Sequence, residues 1–188
     1  MQDFNFYIPL QKDAIGNDSL VGVASTVSVD RDGERMSDSA LLDMQRDIMS
    51  VGVNLFGNHQ HDWENTLGAI KDANVSNNQL NIKVQLDDPV TNSKIPLLLN
   101  KLKRGIKLGL SIGGKTTSEK YEYNKELGKK IKVIDGVKLY EVSVVGIPAN
   151  SDSFISIPTA IVKCMKTKCP VCYNQFVGKA CNLCLWRN

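Results

Sequence analysis

The chain has 188 residues and a mass of 20.8 kDa, enough for one well-filled domain and a small appendage. With 42% hydrophobic and 23% charged residues its composition is that of a globular protein, which excludes a disordered chain. No apolar run approaches the roughly 20 residues that a spanning helix needs, and the opening MQDFNFYIPLQKD lacks the basic-then-apolar layout of a secretory signal. These features lead to the expectation of a protein that stays in a cytoplasm, away from membranes.

The net charge of +3 is unevenly distributed. From Thr159 onward there are five basic residues (Lys163, Lys166, Lys168, Lys179, Arg187) and no acidic ones, leaving 18 basic against 20 acidic residues before that point. All five cysteines also lie there: Cys164, Cys169, Cys172, Cys181 and Cys184. So sharp a shift predicts a boundary near Pro158, with a domain over 1–158 and a basic tail over 159–188.

Along the body, β-branched residues over 20–30 predict a strand ending in the turn signal Asp30-Arg31-Asp32-Gly33. Ser37 or Asp38 can cap a helix whose apolar face is Ala40, Leu41, Met44 and Ile48. Val51 to Phe56 predicts a short strand ending at Gly57, and Leu67–Ile70 and Leu80–Leu86 predict two more around the turn-forming Ser76-Asn77-Asn78. Thr91 to Arg104 has helical periodicity closed by Gly105, with Pro96 tolerable only near the first turn. Ile106–Ile112 and Val137–Ile147 predict strands, and the polar stretch Lys115–Lys130 between them predicts a mobile loop or a small excursion. About seven short strands with two helices indicate an α+β, barrel-like core rather than alternating βαβ units.

Three segments carry chemistry. In the strand around Ser111, the even positions are apolar and the odd face carries Lys107, Gly109, Ser111 and Gly113. Glycines on either side would leave the serine hydroxyl the space a peptide carbonyl needs; the alternative is a serine in a glycine-rich edge strand. His59 and His61 are the only histidines, in Asn58-His59-Gln60-His61-Asp62. Either could activate a serine, or His59, His61 and Asp62 could ligate a metal, as in a metallohydrolase; a solvated polar loop is the plain alternative. Glu141 shares a strand face with Val137, Leu139, Ser143 and Val145. A carboxylate among apolar neighbours needs a partner, which could be an imidazole N–H or a nearby lysine.

The tail holds Cys169-x2-Cys172, eight residues, then Cys181-x2-Cys184. Four thiolates at this spacing predict a structural zinc site that would hold together a segment too small for its own core. Cys164 falls outside the four. The tail's basic character permits contact with nucleic acid or an acidic scaffold protein.

Four stretches together resemble the prohead (capsid-maturation) serine proteases of tailed bacteriophages: VGVASTVSVDRDGERM, NLFGNHQHDWENTLGAI, LKRGIKLGLSIGG and LYEVSVVGIPANSDSFI, in that order over roughly residues 20–157. The resemblance implies a fold similar to herpesvirus assemblin, a β-barrel packed by helices, here followed by the zinc ribbon. It implies Ser111 as nucleophile, His59 as base and Glu141 as third member, with His61 as alternative base or third member. The Gly113-Gly114 amides are candidate oxyanion donors. No cofactor is implied for catalysis. The implied substrates are scaffold and major capsid protein segments, and the chain itself, inside the assembling prohead in the host cytoplasm; a homodimer is also consistent with an assemblin-like fold. The competing reading is a non-catalytic capsid assembly module acting through a nucleic-acid- or protein-binding ribbon.

Overall fold

The computed structural model describes residues 19–158 and four short strands beyond them: β9 (Thr167–Lys168), β10 (Gln175–Phe176), β11 (Ala180–Cys181) and β12 (Trp186–Arg187). The opening segment and Cys164, Cys169, Cys172 and Cys184 lie outside the described residues; of Cys181 only the backbone is described.

The body is α+β. In chain order it runs β1 (Ser19–Thr26), β2 (Glu34–Met36), α1 (Asp38–Ser50), β3 (Asn54–Gly57), β4 (Thr66–Ser76), β5 (Gln79–Leu86), α2 (Lys94–Lys103), β6 (Gly109–Asn124), β7 (Lys129–Val145) and β8 (Phe154–Ser156). Ser37 caps α1 by accepting from Ala40 N–H at 3.2 Å, and the face Ala40, Leu41, Met44 and Ile48 is buried. At the β4–β5 hairpin, Asn77 and Asn78 both adopt left-handed backbone, the conformation that matches the twist of a two-residue turn. Pro96 falls in the first turn of α2, and Gly105 follows its end.

One mixed sheet of eight strands contains all of these, in the order β2-β7-β3-β4-β5-β1-β8, with β6 also paired to β7. The sheet curls round until Ile155 of β8 donates to Leu108 O, just ahead of β6, at 3.2 Å. Its interior side is filled by Leu20, Leu55, Leu80, Val84, Leu110 and Val142 among others, with α1 covering β7 and β4.

β7 is the spine. One edge pairs antiparallel with β6 along nearly its whole length. The other pairs parallel with β2 at Lys132–Ile134 and with β3 at Val142–Val144. Between those two partners, α1 takes over: Asp43 accepts from Val137 N–H at 3.3 Å, and Asp47 accepts from Leu139 N–H at 2.8 Å and pairs with Lys138 at 2.5 Å.

Some expectations need correcting. Lys115–Lys130 is not a loop: β6 and β7 continue as a long hairpin, turning only at 125–128. Its outer residues, such as Tyr121 and Tyr123, are exposed, so the apolar alternation that reveals a half-buried strand is absent there. Val51 is not strand but the C-terminal cap of α1, β4 runs six residues past Ile70 to Ser76, and the second helix begins at Lys94 rather than Thr91.

Removing the Asp47 carboxylate strands the buried Leu139 N–H. Asp47→Ala is expected to lower stability by about 1–3 kcal/mol, read as a lower urea midpoint at unchanged slope. Asp47→Asn, which keeps an acceptor, is expected to recover part of the loss.

Candidate active site

Glu141 sits near the C-terminal end of β7 and is 3% exposed. Such burial of a carboxylate is tolerable only if its oxygens are hydrogen-bonded. Both are. His59 Nδ1–H donates to Oε1 at 2.6 Å, and Ser143 Oγ donates to Oε2 at 2.7 Å. Ser143, fully buried, also accepts from the backbone N–H of His59 at 3.1 Å.

His59 arrives there because of how β3 ends. Gly57 pairs with Val144, Asn58 N–H donates to Val144 O at 2.9 Å, and the chain then turns sharply. Asn58 and His59 have φ of +52° and +57°. Left-handed backbone disfavours residues with a side chain, although Asn and His are enriched there. The turn persists because the His59 ring and amide are both tied to β7.

Ser111 lies on β6 directly across from Ser143, half-buried. It and His59 line one cleft of about 290 Å³, whose walls include Leu110, Met36, Arg35 and Asn150. No hydrogen bond joins Ser111 Oγ to His59 in this arrangement; such contacts are commonly loose until substrate is bound. His61 is placed differently. Its Nε2 is 3.4 Å from Glu141 Oε1 and its ring packs edge-on to Phe56, but it does not line the cleft that holds Ser111.

The glycines beside Ser111 do not leave open space, contrary to the sequence reading. A Cβ on Gly109 would lie 2.5 Å from Pro148 Cδ, and one on Gly113 would lie 2.9 Å from Glu141 Cδ. Each is needed because a neighbouring side chain fills its place. Gly113 faces Glu141 across the hairpin, next to a bulge between Gly113 and Gly114.

Asp62 is also not where a metal site would want it. It caps the 3-10 turn Trp63–Asn65, accepting from Asn65 N–H at 2.7 Å. The Asn65 side-chain amide, bonded to both its oxygens, holds its carboxyl below the usual range. The one residue that sequence reasoning missed is Ser143. A serine within an apolar strand carries no signal of its own; its spacing from Glu141 along one strand face was the available clue.

A sequence profile described as caudovirus prohead serine protease matches residues 22–168. The chain belongs to this family. The prohead protease match takes in His59, Ser111 and Glu141 and stops one residue before Cys169. The prohead protease of Escherichia phage T5 is 29% identical over 138 residues, covering 72% of this chain and 60% of that protein. The chain thus spans about three fifths of the length of that curated relative. The crystal structure of KSHV protease in complex with a hexapeptide phosphonate inhibitor is a distant likeness, with a TM-score of 0.47 at 12% identity over 81% of this chain and 71% of that one.

Ser143→Ala removes a donor to Glu141 and an acceptor for the His59 amide. A hydrogen bond to a charged group contributes about 1.5–3 kcal/mol, so a loss of stability of that size is expected, read as a lower urea midpoint. It should come with faster exchange of the His59 Nδ1 proton in NMR spectra. Unchanged exchange with only reduced stability would make Ser143 a packing residue.

Proposed function

We propose that this chain is a serine endopeptidase of phage capsid maturation, with Ser111 as nucleophile, His59 as general base and Glu141 as the residue that orients it. The observation carrying this reading is the 2.6 Å hydrogen bond from His59 Nδ1 to the buried Glu141 carboxylate, made by an imidazole that lines the same cleft as Ser111. With Nδ1–H committed to the carboxylate, the neutral ring keeps its acceptor at Nε2 for the serine proton.

Ser111 Oγ attacks the scissile carbonyl as His59 takes its proton, giving a tetrahedral adduct beside an imidazolium that Glu141 stabilises. Collapse breaks the C–N bond as His59 passes the proton to the leaving amine. Water, activated by the same imidazole, then hydrolyses the acyl-enzyme and returns Ser111. His61 is given no part in proton transfer, because it faces Glu141 without lining the cleft that holds Ser111. In this reading the steps use protein groups and water.

The family's role supplies the substrates in this reading: scaffold and major capsid protein segments, and the chain itself, cut inside the assembling prohead in the host cytoplasm. The curled sheet, with β8 reaching the chain ahead of β6, supports an assemblin-like barrel, and a homodimer is carried with that likeness. No described helix is long and apolar enough to cross a membrane.

The tail is read as a zinc ribbon. Its described backbone forms two antiparallel strand pairs, β9 with β10 and β11 with β12. The first pair brackets Cys169 and Cys172 in sequence, and the second runs from Cys181 past Cys184. Four thiolates at this sequence spacing suit one tetrahedral, structural zinc. Nucleic-acid contact in this reading is confined to the basic tail.

Intact masses of the chain co-expressed with the neighbouring coat and scaffold proteins provide the test. Fragments are expected with the unchanged chain and absent with Ser111→Ala and with His59→Ala. Identical masses in all three would sink the protease reading in favour of a non-catalytic assembly module. Native mass spectrometry of Ser111→Ala is expected to find one zinc retained through desalting, absent when Cys169 and Cys172 are both changed to serine.

A further inference from the structure

Three metal-ligating side chains converge at the site from two parts of the chain. His59, His61 and Glu141 each offer one ligand atom, and those atoms all lie within 4.8 Å of one another. We propose that they form a binding site for a zinc-like divalent cation, and that its occupation silences the peptidase. The silencing rests on the protease reading above; the binding does not.

The geometry is close to what the cation needs. Ligands about 2.0–2.1 Å from a tetrahedral zinc lie about 3.3 Å from each other. His61 Nε2 and Glu141 Oε1 are already 3.4 Å apart. The His59–Glu141 contact, at 2.6 Å, must open as the cation replaces the proton between them, and the two imidazole nitrogens, within 4.8 Å of each other, must settle at the same spacing. Glu141 is held for the purpose: Ser143 occupies Oε2, which leaves Oε1 facing both imidazoles. Outer hydrogen bonds of this kind orient metal ligands and raise affinity. Phe56, packed edge-on at 5.6 Å between ring centroids, limits where the His61 ring can go.

Chemistry selects the cation. Two neutral imidazoles and one carboxylate suit zinc and its transition-metal neighbours, whereas magnesium and calcium favour all-oxygen sets. Both histidines are partly open to solvent, 42% and 58% exposed, so an ion can enter and a water can complete its coordination. Once bound, the cation holds Nδ1 of His59 and neutralises Glu141. The ring then lacks the carboxylate that orients it and supports the imidazolium, and proton transfer from Ser111 stops.

The test uses the full chain carrying Ser111→Ala, its tail first loaded with one equivalent of zinc, and cobalt(II) as the probe. A second equivalent is expected to bind with the weak visible bands of a nitrogen–oxygen site and without thiolate charge transfer. It should disappear in Ser111→Ala with His61→Ala, while the first equivalent stays. With Ser111 intact, saturating zinc is expected to lower peptide hydrolysis at least tenfold where magnesium has no effect. The rate of the His61→Ala chain, whatever its value, should no longer change on adding zinc. Absence of the second equivalent, or its survival without His61, overturns the site. Equal zinc inhibition with and without His61 overturns the silencing. If the second equivalent binds through His61 yet the zinc-free chain cleaves nothing, the site stands, and the protease reading and the silencing fall together.

Discussion

The buried carboxylate of Glu141 sets the terms for everything around it. Left alone at that depth it would cost several kcal/mol, so each of its oxygens has a dedicated partner: the His59 imidazole on one side and the Ser143 hydroxyl on the other. Those bonds in turn dictate local details that otherwise look arbitrary. The residue facing it across the hairpin must be Gly113, since any side chain there would collide with the carboxylate. The chain leaving β3 must turn through two left-handed residues to present an imidazole at that spot.

Placing this carboxylate is the task of β7. Its 17 residues are shared among β6, β2 and β3, and on the edge away from β6 the stretch between β2 and β3 is hydrogen-bonded by the carboxylates of α1. Because β3 and β6 both align on the same end of β7, the histidine turn and the serine strand are brought together on either side of one backbone. The register does the positioning: Ser111 lies opposite Ser143, and Gly57 opposite Val144. A slip of one residue in either pairing would turn the side chains to the wrong face.

How much of this was legible beforehand depended on whether burial left a periodic trace. A cap at Ser37 or Asp38, which the structure narrows to Ser37, the apolar face of α1 and the turn at Asn77-Asn78 were legible, because each uses a short-range rule. Glu141 was recognisable as a carboxylate in need of a partner, since it interrupts an apolar face. The outer half of the β6–β7 hairpin was not recognisable, as its strand residues are mostly exposed and polar. The glycines near Ser111 were noticed but misread: sequence shows that side chains are missing, not which neighbour fills the gap. That His59 lines the cleft of Ser111 while His61 does not was beyond the sequence, because two residues of separation in a turn carry no directional information.

The order of the chain has a bearing on its synthesis. Histidine and serine are translated well before Glu141, and β8, which meets both β1 and the chain ahead of β6, comes later still. A nascent polypeptide displaying His59 and Ser111 therefore has neither the carboxylate that aims the imidazole nor the last strand of the wall. The grouping of imidazole, carboxylate and serine strand is thus complete only once almost the whole body has emerged from the ribosome.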